Sequence, residues 1–228
     1  MSLYIVSTPI GNLGDITVRA AKILAECELI LAEDTRTSKK LLNHLGITAQ
    51  TSAYHDFNKE KVTPGLIALL KDKKKIALIT DAGTPGIADP GFYLTRAAIA
   101  EGINVVPIPG ASAILTALVA SGLPTDRFIF ENFLPHKSTQ RQKLFESLKN
   151  EPRTMIFYET PHRIIKTLED IKTVLGGVRV VIARELTKIH EEFLRGTAEE
   201  LLVHFAEHQP RGEMVVMFNV RVRQNILK

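Results

Sequence analysis

The stretch Lys75–Gly91 reads KIALITDAGTPGIADPG, and it places a loop rich in glycine and proline directly after an apolar run. The run has the length and composition of a buried β-strand. Glycines let the backbone adopt positive φ or approach a ligand closely, and prolines stiffen the loop around it. A tight structural turn uses the same residues, so this stretch alone leaves both a turn and a ligand-binding loop open.

Short apolar runs alternate with helix-like segments through the first half of the chain. The runs are LYIVS, ELILA, KIALIT and INVVPI, and the predicted helices begin at Asp15, near Ser38, near Tyr93 and at Ser112. Asp15 is the predicted N-cap of the first helix. Its predicted apolar face comprises Ile16, Ala20, Ile23, Leu24 and Cys27. This alternation is typical of an α/β domain with a mostly parallel sheet.

The alternation breaks at SGLP, residues 121–124, which predicts a domain boundary there. We therefore expect an N-terminal α/β domain over residues 1–120 and a C-terminal α/β domain over residues 121–228. The second half contains five further strand-like runs: RFIFENF, TMIFYE, VRVVIAR, EEFLRG and GEMVVMFNV. The predicted fold class is two α/β domains with mainly parallel or mixed sheets.

Two helix starts in the second half carry capping signals. Thr160 before Pro161 predicts an N-cap followed by a first-turn proline. Thr197, with Glu200 three residues later, predicts a capping box. The buried stripe of the first of these helices is predicted to comprise Ile164, Ile165, Leu168 and Ile171.

The composition sets limits on the class of protein. A chain of 228 residues suits two domains, and 45% hydrophobic with 24% charged residues is ordinary for a globular protein. Cys27 is the only cysteine, which excludes an intrachain disulfide and a cysteine zinc cluster. There is no secretory signal pattern and no apolar run of about 20 residues, so we expect a cytoplasmic protein that does not enter a membrane. A net charge of +4 permits a polyanionic partner without requiring one.

Three loops in the first half follow apolar strands and contain glycine or proline. They are STPIGNLGD (7–15), TDAGTPG (80–86) and PIPGASA (107–113). Open α/β sheets bind ligands beyond the carboxyl ends of their strands, so three such loops favour a binding site over three structural turns. None of them is a dinucleotide fingerprint or a P-loop. No histidine pair with a nearby acid occurs at helical spacing, so we expect no metal.

The same loops resemble the S-adenosylmethionine-binding loops of the tetrapyrrole-methylase fold. Within that superfamily, further motifs are similar to one bacterial branch, which 2′-O-methylates a cytidine ribose in the decoding region of small-subunit (16S) ribosomal RNA. The motifs are AEDTR (32–36), FLPHK (133–137), YETPHR (158–163), ARELTKIHEE (183–192) and RGEMV (211–215). The match runs from Leu3 to Val220. Two departures stand on the presumed RNA side: Asn132 where glycine is expected, and Tyr54–Asn58 as a variant of a loop containing His and Asn.

The resemblance implies a homodimer that binds S-adenosylmethionine in a cleft between the two domains and acts on ribosomal RNA or the 30S particle. The donor contacts that it implies are Ile10, Asp81, Gly83, Thr84, Ser112 and Ala113. An alternative role for Asp81 is a turn-forming aspartate, and Ser112 could simply cap the following helix.

Methylation of a ribose hydroxyl requires alignment and a base that accepts the proton. The candidate bases in motif loops are Lys188, Glu159, Asp34 and Glu191, with Lys188 as the first choice. A lysine needs a lowered pKa for this role, which a cationic donor and Arg184 nearby could provide. For each candidate, an ordinary ion pair is the competing interpretation.

Basic residues of the motif loops and the helix after FLPHK form the presumed RNA face. They are Arg36, Lys39, Lys40, Lys137, Arg141, Lys143, Arg163 and Lys188. Arg36, Lys137 and Arg163 are the predicted substrate contacts, because guanidinium and ammonium groups suit phosphate oxygens.

Two other functions remain open from the sequence. A precorrin- or uroporphyrinogen-type C-methyltransferase would keep the fold and change the acceptor, although a small tetrapyrrole needs no AEDTR, FLPHK or basic helix. A non-catalytic module that binds ribosomal RNA would keep the pocket without using it, although such a pocket need not retain three constrained loops.

Overall fold

A computed structural model describes residues 2–222 of the chain. The chain divides into two compact units, Met1–Ser112 and Ala113–Lys228. Each unit contains one five-stranded sheet with helices packed on it. The predicted fold class, two α/β domains with parallel or mixed sheets, is confirmed. Helix α5 (Ala113–Ser121), which the sequence prediction places in the first domain, packs against strands of the second unit.

The first unit contains a parallel sheet with the strand order β3-β2-β4-β1-β5. Its strands are β1 (Ser2–Val6), β2 (Leu29–Ala32), β3 (Gln50–Ala53), β4 (Ile76–Ile79) and β5 (Asn104–Ile108). Its helices are α1 (Val18–Glu26), α2 (Thr35–His44), α3 (Lys59–Lys71) and α4 (Gly91–Ala100), with a 3-10 turn at Leu13–Asp15. Every residue of β2 and β4 is buried, as expected for strands covered by helices on both faces.

Alternate residues of these strands enter two separate hydrophobic clusters. Leu29, Leu31, Ile76 and Leu78 belong to the cluster that includes residues of α3 and α4. Ile30, Ala32, Ala77 and Ile79 belong to the cluster that includes residues of α1 and α2. Successive side chains of a strand point to opposite faces, so each apolar run supplies both cores.

The first helix begins later than the sequence predicts. Its N-cap is Thr17, whose hydroxyl accepts a hydrogen bond from the Ala20 N–H at 3.0 Å, whereas Asp15 lies in the preceding 3-10 turn. The predicted N-cap at Asp15 is therefore wrong. The apolar face of α1 is confirmed, because Ala20, Leu24 and Cys27 belong to one core cluster and the partly buried Ile16 and Ile23 pack against it.

The second unit contains a mixed sheet with the strand order β6-β7-β10-β8-β9. Strands β6 and β7 are parallel, and the other neighbouring pairs are antiparallel. The strands are β6 (Phe128–Phe133), β7 (Thr154–Glu159), β8 (Arg179–Arg184), β9 (Glu192–Thr197) and β10 (Met214–Phe218). The helices are α5, α6 (Ser138–Ser147), α7 (Ile164–Leu175) and α8 (Ala198–Glu207).

Three phenylalanine rings from α6, β7 and β10 meet in the core of this unit. The ring centroids of Phe145, Phe157 and Phe218 lie 6.1 to 6.3 Å apart, a favourable aromatic packing distance. The predicted capping box at Thr197 and Glu200 is confirmed.

Helix α7 differs from its prediction in two respects. It begins at Ile164 with Arg163 as N-cap, because Thr160–Arg163 form a separate turn. Ile164, Leu168 and Ile171 are buried as predicted, but Ile165 is exposed, because it lies one residue off the buried stripe. Among residues 2–222, no helix is long and apolar enough to cross a membrane.

Candidate functional site

The first two predicted loops are joined at the carboxyl edge of the parallel sheet. Backbone hydrogen bonds connect Thr8 and Gly83 in both directions, with N–O distances of 2.8 and 3.1 Å. The Thr8 hydroxyl also donates to the Thr80 carbonyl at 3.0 Å. The loops after β1 and β4 are therefore held as one structure, which an isolated structural turn does not require.

The third loop joins the same group. The Ser7 N–H donates to the Ile108 carbonyl at 3.2 Å, and the Ser7 hydroxyl lies 2.9 Å from the Thr84 hydroxyl. The Thr84 hydroxyl in turn reaches the Ala111 carbonyl at 3.4 Å. Ser112 follows Ala111 directly. Thus the structure brings the three loops together, as the sequence predicts.

Gly83 lies where the three loops meet, and its geometry requires glycine. Its φ is +86°, and a Cβ added there would lie 3.5 Å from Ile10 Cγ2 and 3.9 Å from the Ala111 carbonyl oxygen. A larger side chain would both strain the backbone and fill the space beside Ile10 and Ala111. We call this space, bordered by Gly83, Ile10 and Ala111, the cradle. It lets a ligand approach the backbone closely.

Asp89 shapes the second half of the Thr80–Gly91 loop. Its carboxylate accepts hydrogen bonds from the Gly86 N–H at 2.8 Å and the Gly91 N–H at 2.7 Å. Burial raises the pKa of Asp89, and the two backbone donors oppose that shift. Asp89 is not among the predicted site residues, although an aspartate two residues before a glycine is a known signal for such turns.

Acidic side chains gather beside the cradle. The Asp81 carboxylate accepts a hydrogen bond from the Asp34 N–H at 3.1 Å, and the Thr80 hydroxyl donates to Glu33 at 2.8 Å. Partial burial, together with Glu33 and Asp34, raises the pKa of Asp81. Only one oxygen of Asp81 has a hydrogen-bond partner among the described residues. The other can accept from a ligand hydroxyl or ammonium group.

Asp34 is occupied by Arg36 in the same motif. The guanidinium donates to both Asp34 oxygens, with the shortest distance 2.7 Å, and the Arg36 side chain is 89% exposed. Hydrogen bonds from Arg36 lower the pKa of Asp34 to about 2. A carboxylate with that pKa is a weak proton acceptor, so Asp34 is a poor general base. Its hydrogen bonds to the guanidinium indicate that it orients Arg36.

Glu159 and Arg163 form a pair inside the second unit. The Glu159 side chain is fully buried, and it accepts from the Thr167 hydroxyl at 2.6 Å and the Thr160 N–H at 2.9 Å. Its Oε1 also lies 3.2 Å from Arg163 Nε. With its oxygens engaged by these donors, Glu159 is placed to hold the YETPHR segment together.

Two arginines hold the FLPHK segment from inside. Arg163 donates to the Leu134 carbonyl at 2.6 Å, and Arg141 donates to the carbonyls of Pro135 and His136 at 3.1 and 2.9 Å. Arg141 is buried, so its predicted place on the RNA face is wrong. Its charge is matched by the buried Asp170 carboxylate at 2.6 Å.

The outer side of the same segment is exposed. Lys137, directly before α6, is exposed to solvent. Asn132 has φ of +56°, a left-handed conformation that asparagine tolerates better than most residues, and its side chain accepts from the Phe133 N–H at 2.9 Å. This explains why asparagine can stand at a position where glycine is expected.

Lys188 lies in the β8–β9 hairpin loop and is paired with acids. Its Nζ lies 2.9 Å from Glu185 Oε1 and 3.8 Å from Glu213 Oε2. The bond from Lys188 lowers the pKa of Glu185. A Cβ at Gly212 would overlap the Glu185 carboxylate, so the RGEMV glycine makes room for this pair. Glu191, another candidate base, accepts from the Thr187 N–H at 2.7 Å.

The first unit therefore brings together most of the predicted donor contacts. Ile10, Gly83 and Thr84 lie around the joined loops, and Ser112 and Ala113, the last residues of the third loop, are half-buried, with Ala113 the first residue of the second unit. Backbone groups beside a left-handed glycine, with one acidic side chain, fit a ligand that carries a ribose diol and an ammonium group. In the part of the chain that the structure describes, no three His, Cys, Asp or Glu side chains are grouped to hold a metal ion.

Comparison with known proteins shows the family to which this chain belongs. Residues 2–202 match the family of tetrapyrrole (corrin/porphyrin) methylases. A "ribosomal RNA small subunit methyltransferase I" of Synechocystis sp. is 51% identical over 216 residues, which are 94% of this chain and 77% of that protein. The protein of the same name in Thermotoga maritima is 46% identical over 217 residues, 95% of this chain and 97% of that protein.

A solved structure shows the same fold at much lower identity. A cobalt precorrin-4 methyltransferase of cobalamin biosynthesis matches with a TM-score of 0.69 and 17% identity, covering 96% of this chain and 94% of that one. This likeness concerns the fold alone. By its matched residues and its close relatives, the chain belongs to the tetrapyrrole methylase family and, within it, to the group of ribosomal RNA small subunit methyltransferase I proteins.

Proposed function

We propose that this chain transfers a methyl group from S-adenosylmethionine to the 2′-hydroxyl of a cytidine ribose in the decoding region of small-subunit ribosomal RNA. The observation that supports the substrate class is the similarity, over nearly the whole chain, to proteins named for small-subunit ribosomal RNA methylation. The precorrin alternative is supported by the fold alone.

The donor is assigned to the three joined loops of the first unit. Gly83 leaves the space, Ile10 and Thr84 border it, and Asp81 offers an acceptor for a hydroxyl or ammonium group. Ser112 and Ala113 complete the predicted set. When bound, S-adenosylmethionine supplies an electrophilic methyl group, so the protein need only align the ribose hydroxyl and remove its proton.

Lys188 remains the proposed base, because Glu159 and Asp34 are weaker candidates on their contacts. Glu159 is buried with its oxygens bonded, and Asp34 has a pKa of about 2. Lys188 is one-third exposed and can reach a substrate. Its Nζ lies 2.9 Å from Glu185 Oε1, so the bound substrate must displace that pair before the amine can contact the ribose hydroxyl.

Phosphate contacts are assigned to Arg36 and Lys137, because both side chains face solvent. Arg163 points its guanidinium at backbone carbonyls, so we assign it to positioning the FLPHK segment. We further propose that the protein is a homodimer, acts in the cytoplasm and takes either naked ribosomal RNA or the 30S particle as substrate.

A methyl-transfer assay tests this function. The protein is incubated with labelled S-adenosylmethionine and small ribosomal subunits from cells that lack this methylation, and in parallel with protein-free ribosomal RNA and with uroporphyrinogen. We expect label in RNA, at a nucleotide that becomes resistant to alkaline cleavage because its 2′-oxygen is methylated. Label in uroporphyrinogen, or label on a base rather than a ribose, would overturn the proposal. Gly83→Val is the matched control, since it should abolish donor binding.

A further inference from the structure

The turn between β3 and α3 holds an almost fully exposed aromatic ring. Phe57 is 98% exposed. The turn is nevertheless well bonded, because the Asn58 side chain donates to the Ala53 carbonyl and accepts from the His55 N–H, both at 2.9 Å. The Phe57 ring is thus displayed on a pre-organised turn.

Two further rings and two cations lie in the first two turns of α3 and α4, where Lys59 is also paired with Asp56 at 2.6 Å. Lys59 Nζ lies 6.0 Å from the centre of the Tyr93 ring. Arg96 Cζ lies 5.7 Å from the Phe92 ring and 5.9 Å from the Tyr93 ring. Phe92 is 64% exposed, and Arg96 is exposed. The aromatic–basic surface is defined here as Phe57, Lys59, Phe92, Tyr93 and Arg96.

The topology places this surface at the ligand edge of the first unit. Helices α3 and α4 begin after the loops that follow the parallel strands β3 and β4, so their first turns lie at the carboxyl edge of the sheet. Phe92 and Tyr93 come directly after the Thr80–Gly91 loop. The aromatic–basic surface and the joined loops therefore share one edge.

The chemistry of this surface fits an unpaired nucleic-acid strand better than a second protein. Single-stranded RNA is bound by aromatic rings that stack its bases and by cations that contact its phosphates. Exposed charged residues flank Phe57 in the sequence: Asp56, Glu60 and Lys61. Protein interface cores are depleted in such residues, so Phe57 is not part of an apolar patch that a second copy would cover.

We propose that the aromatic–basic surface stacks an unpaired base of the RNA substrate on Phe57, with Arg96 at a neighbouring phosphate. This inference rests on the proposed function and adds a base contact to it. Neither the donor loops nor the assigned phosphate contacts Arg36 and Lys137 include this surface.

Binding of a single-stranded RNA tests the stacking. The probe is a fluorescent, unstructured oligonucleotide of about twelve nucleotides, within the usual footprint of such sites. Phe57→Ala should raise its Kd by about 5- to 150-fold, the usual effect of losing one stacked base, and should leave the salt dependence unchanged. Arg96→Gln should instead lower the slope of log K against log salt by about one.

A tryptophan placed at the turn gives a second, direct measurement. The chain has no tryptophan, so Phe57→Trp introduces a single fluorophore. It should keep the parent affinity and lose fluorescence when RNA is added, because the indole stacks on a base. The matched control is Ile99→Trp, which is 62% exposed at the opposite end of α4 and should not respond.

The outcomes separate this inference from the proposed function. If the parent methylates small subunits but Phe57→Ala binds RNA as tightly as the parent, the stacking is overturned and the function stands. If the parent transfers no methyl group to RNA, the function itself fails, whatever the oligonucleotide binding shows. If Phe57→Ala changes the sedimentation coefficient and not RNA affinity, the surface joins two copies of the chain, and the inference is again overturned.

Discussion

Arg36 and Arg163 both lie in motif loops, but their guanidinium groups have opposite surroundings. Arg36 is 89% exposed and is oriented by the neighbouring Asp34 carboxylate. Arg163 points inward, where it contacts the buried Glu159 and the Leu134 carbonyl. One arginine is available to a phosphate, and the other holds the backbone of a second motif.

The difference shows that a basic residue of a motif can have one of two physical roles. It can be exposed to a ligand, or it can hold the backbone of a neighbouring segment. In FLPHK, Arg141 and Arg163 occupy three of the backbone carbonyls from inside. Lys137 is the exposed cation of the segment. If Lys137 and Arg36 contact phosphates as proposed, the inward arginines contribute to RNA binding only through the position of Lys137, whereas Arg36 contributes directly.

Lys188 is both paired with a carboxylate and partly exposed. Its replacement should give the largest effect on the methylation rate. It is paired with Glu185 but one-third exposed. If it accepts the ribose proton, Lys188→Met should reduce the single-turnover methylation rate by about 10²- to 10⁴-fold, with donor and RNA affinities nearly unchanged. The rate of the parent should rise with pH through a group that is absent in this variant.

Lys188→Arg is the decisive control for that prediction. Arginine keeps the charge and can pair with Glu185, but it cannot act as a base. An arginine variant that works at close to the parent rate would remove Lys188 from proton transfer and leave it with a positioning role.

The buried arginine Arg141 should give the largest effect on stability. Arg141→Met leaves the buried Asp170 carboxylate without its cation, so we expect a loss of about 3–5 kcal/mol in the free energy of unfolding. Urea denaturation measures it. The double variant Arg141→Met with Asp170→Leu should recover part of the loss, because it removes the unpaired charge. Equal destabilisation by single and double variants would show that the pair is not the cause.

Replacing Arg163 should lower the free energy of unfolding by a smaller amount than replacing Arg141. Arg163→Met removes contacts with Glu159 and the Leu134 carbonyl, but Glu159 keeps the Thr167 and Thr160 donors. We expect about 2–3 kcal/mol of destabilisation, since one buried carboxylate loses a partner and retains others. A variant of parent stability that binds RNA with a lower salt slope would instead make Arg163 a phosphate contact, as the sequence predicts.

The sequence predicts the loops and strands well where hydrophobic patterns are strong. Strands β2 and β4 are buried throughout, and their apolar runs locate them directly. Strand β3 (QTSA) escapes prediction, because it is an exposed edge strand with polar side chains. Helix α3 escapes prediction too, and it contains Pro64, which ordinarily indicates a helix boundary.

The direction of a charged side chain is the least predictable feature of the candidate site. A motif identifies Arg36, Arg141 and Arg163 equally as basic residues. Only the tertiary structure shows which carbonyls and carboxylates each one meets. The grouping of the loops is predictable for the opposite reason, since the carboxyl ends of parallel strands must share one edge.

The exposed residues Arg36 and Lys137 should affect RNA binding and change the free energy of unfolding little, because exposed ion pairs contribute little to stability. Replacing both Arg36 and Lys137 with Ala should lower the slope of log K against log salt by about two, because two phosphates are no longer neutralised by the protein. Donor affinity should stay the same. Measuring RNA affinity at several salt concentrations gives the slope, and a double variant with the parent slope would count against both phosphate contacts.

The smallest expected effect is a change in the pKa of Asp34. This pKa depends on whether the Arg36 guanidinium is bonded to the Asp34 carboxylate. Hydrogen bonds from Arg36 lower the pKa of Asp34 from 3.8 to about 2. The ionised pair therefore favours the folded state above about pH 4, and that contribution is lost as the pH falls through about 2. In Arg36→Gln, NMR titration of the Asp34 carboxyl carbon should show the pKa returning toward 3.8. If Arg36 moves to a phosphate, bound RNA should raise the Asp34 pKa in the parent in the same direction. A pKa that stays near 2 in Arg36→Gln would mean that backbone donors, such as the Arg36 N–H at 2.8 Å, and not the guanidinium, lower the pKa of Asp34.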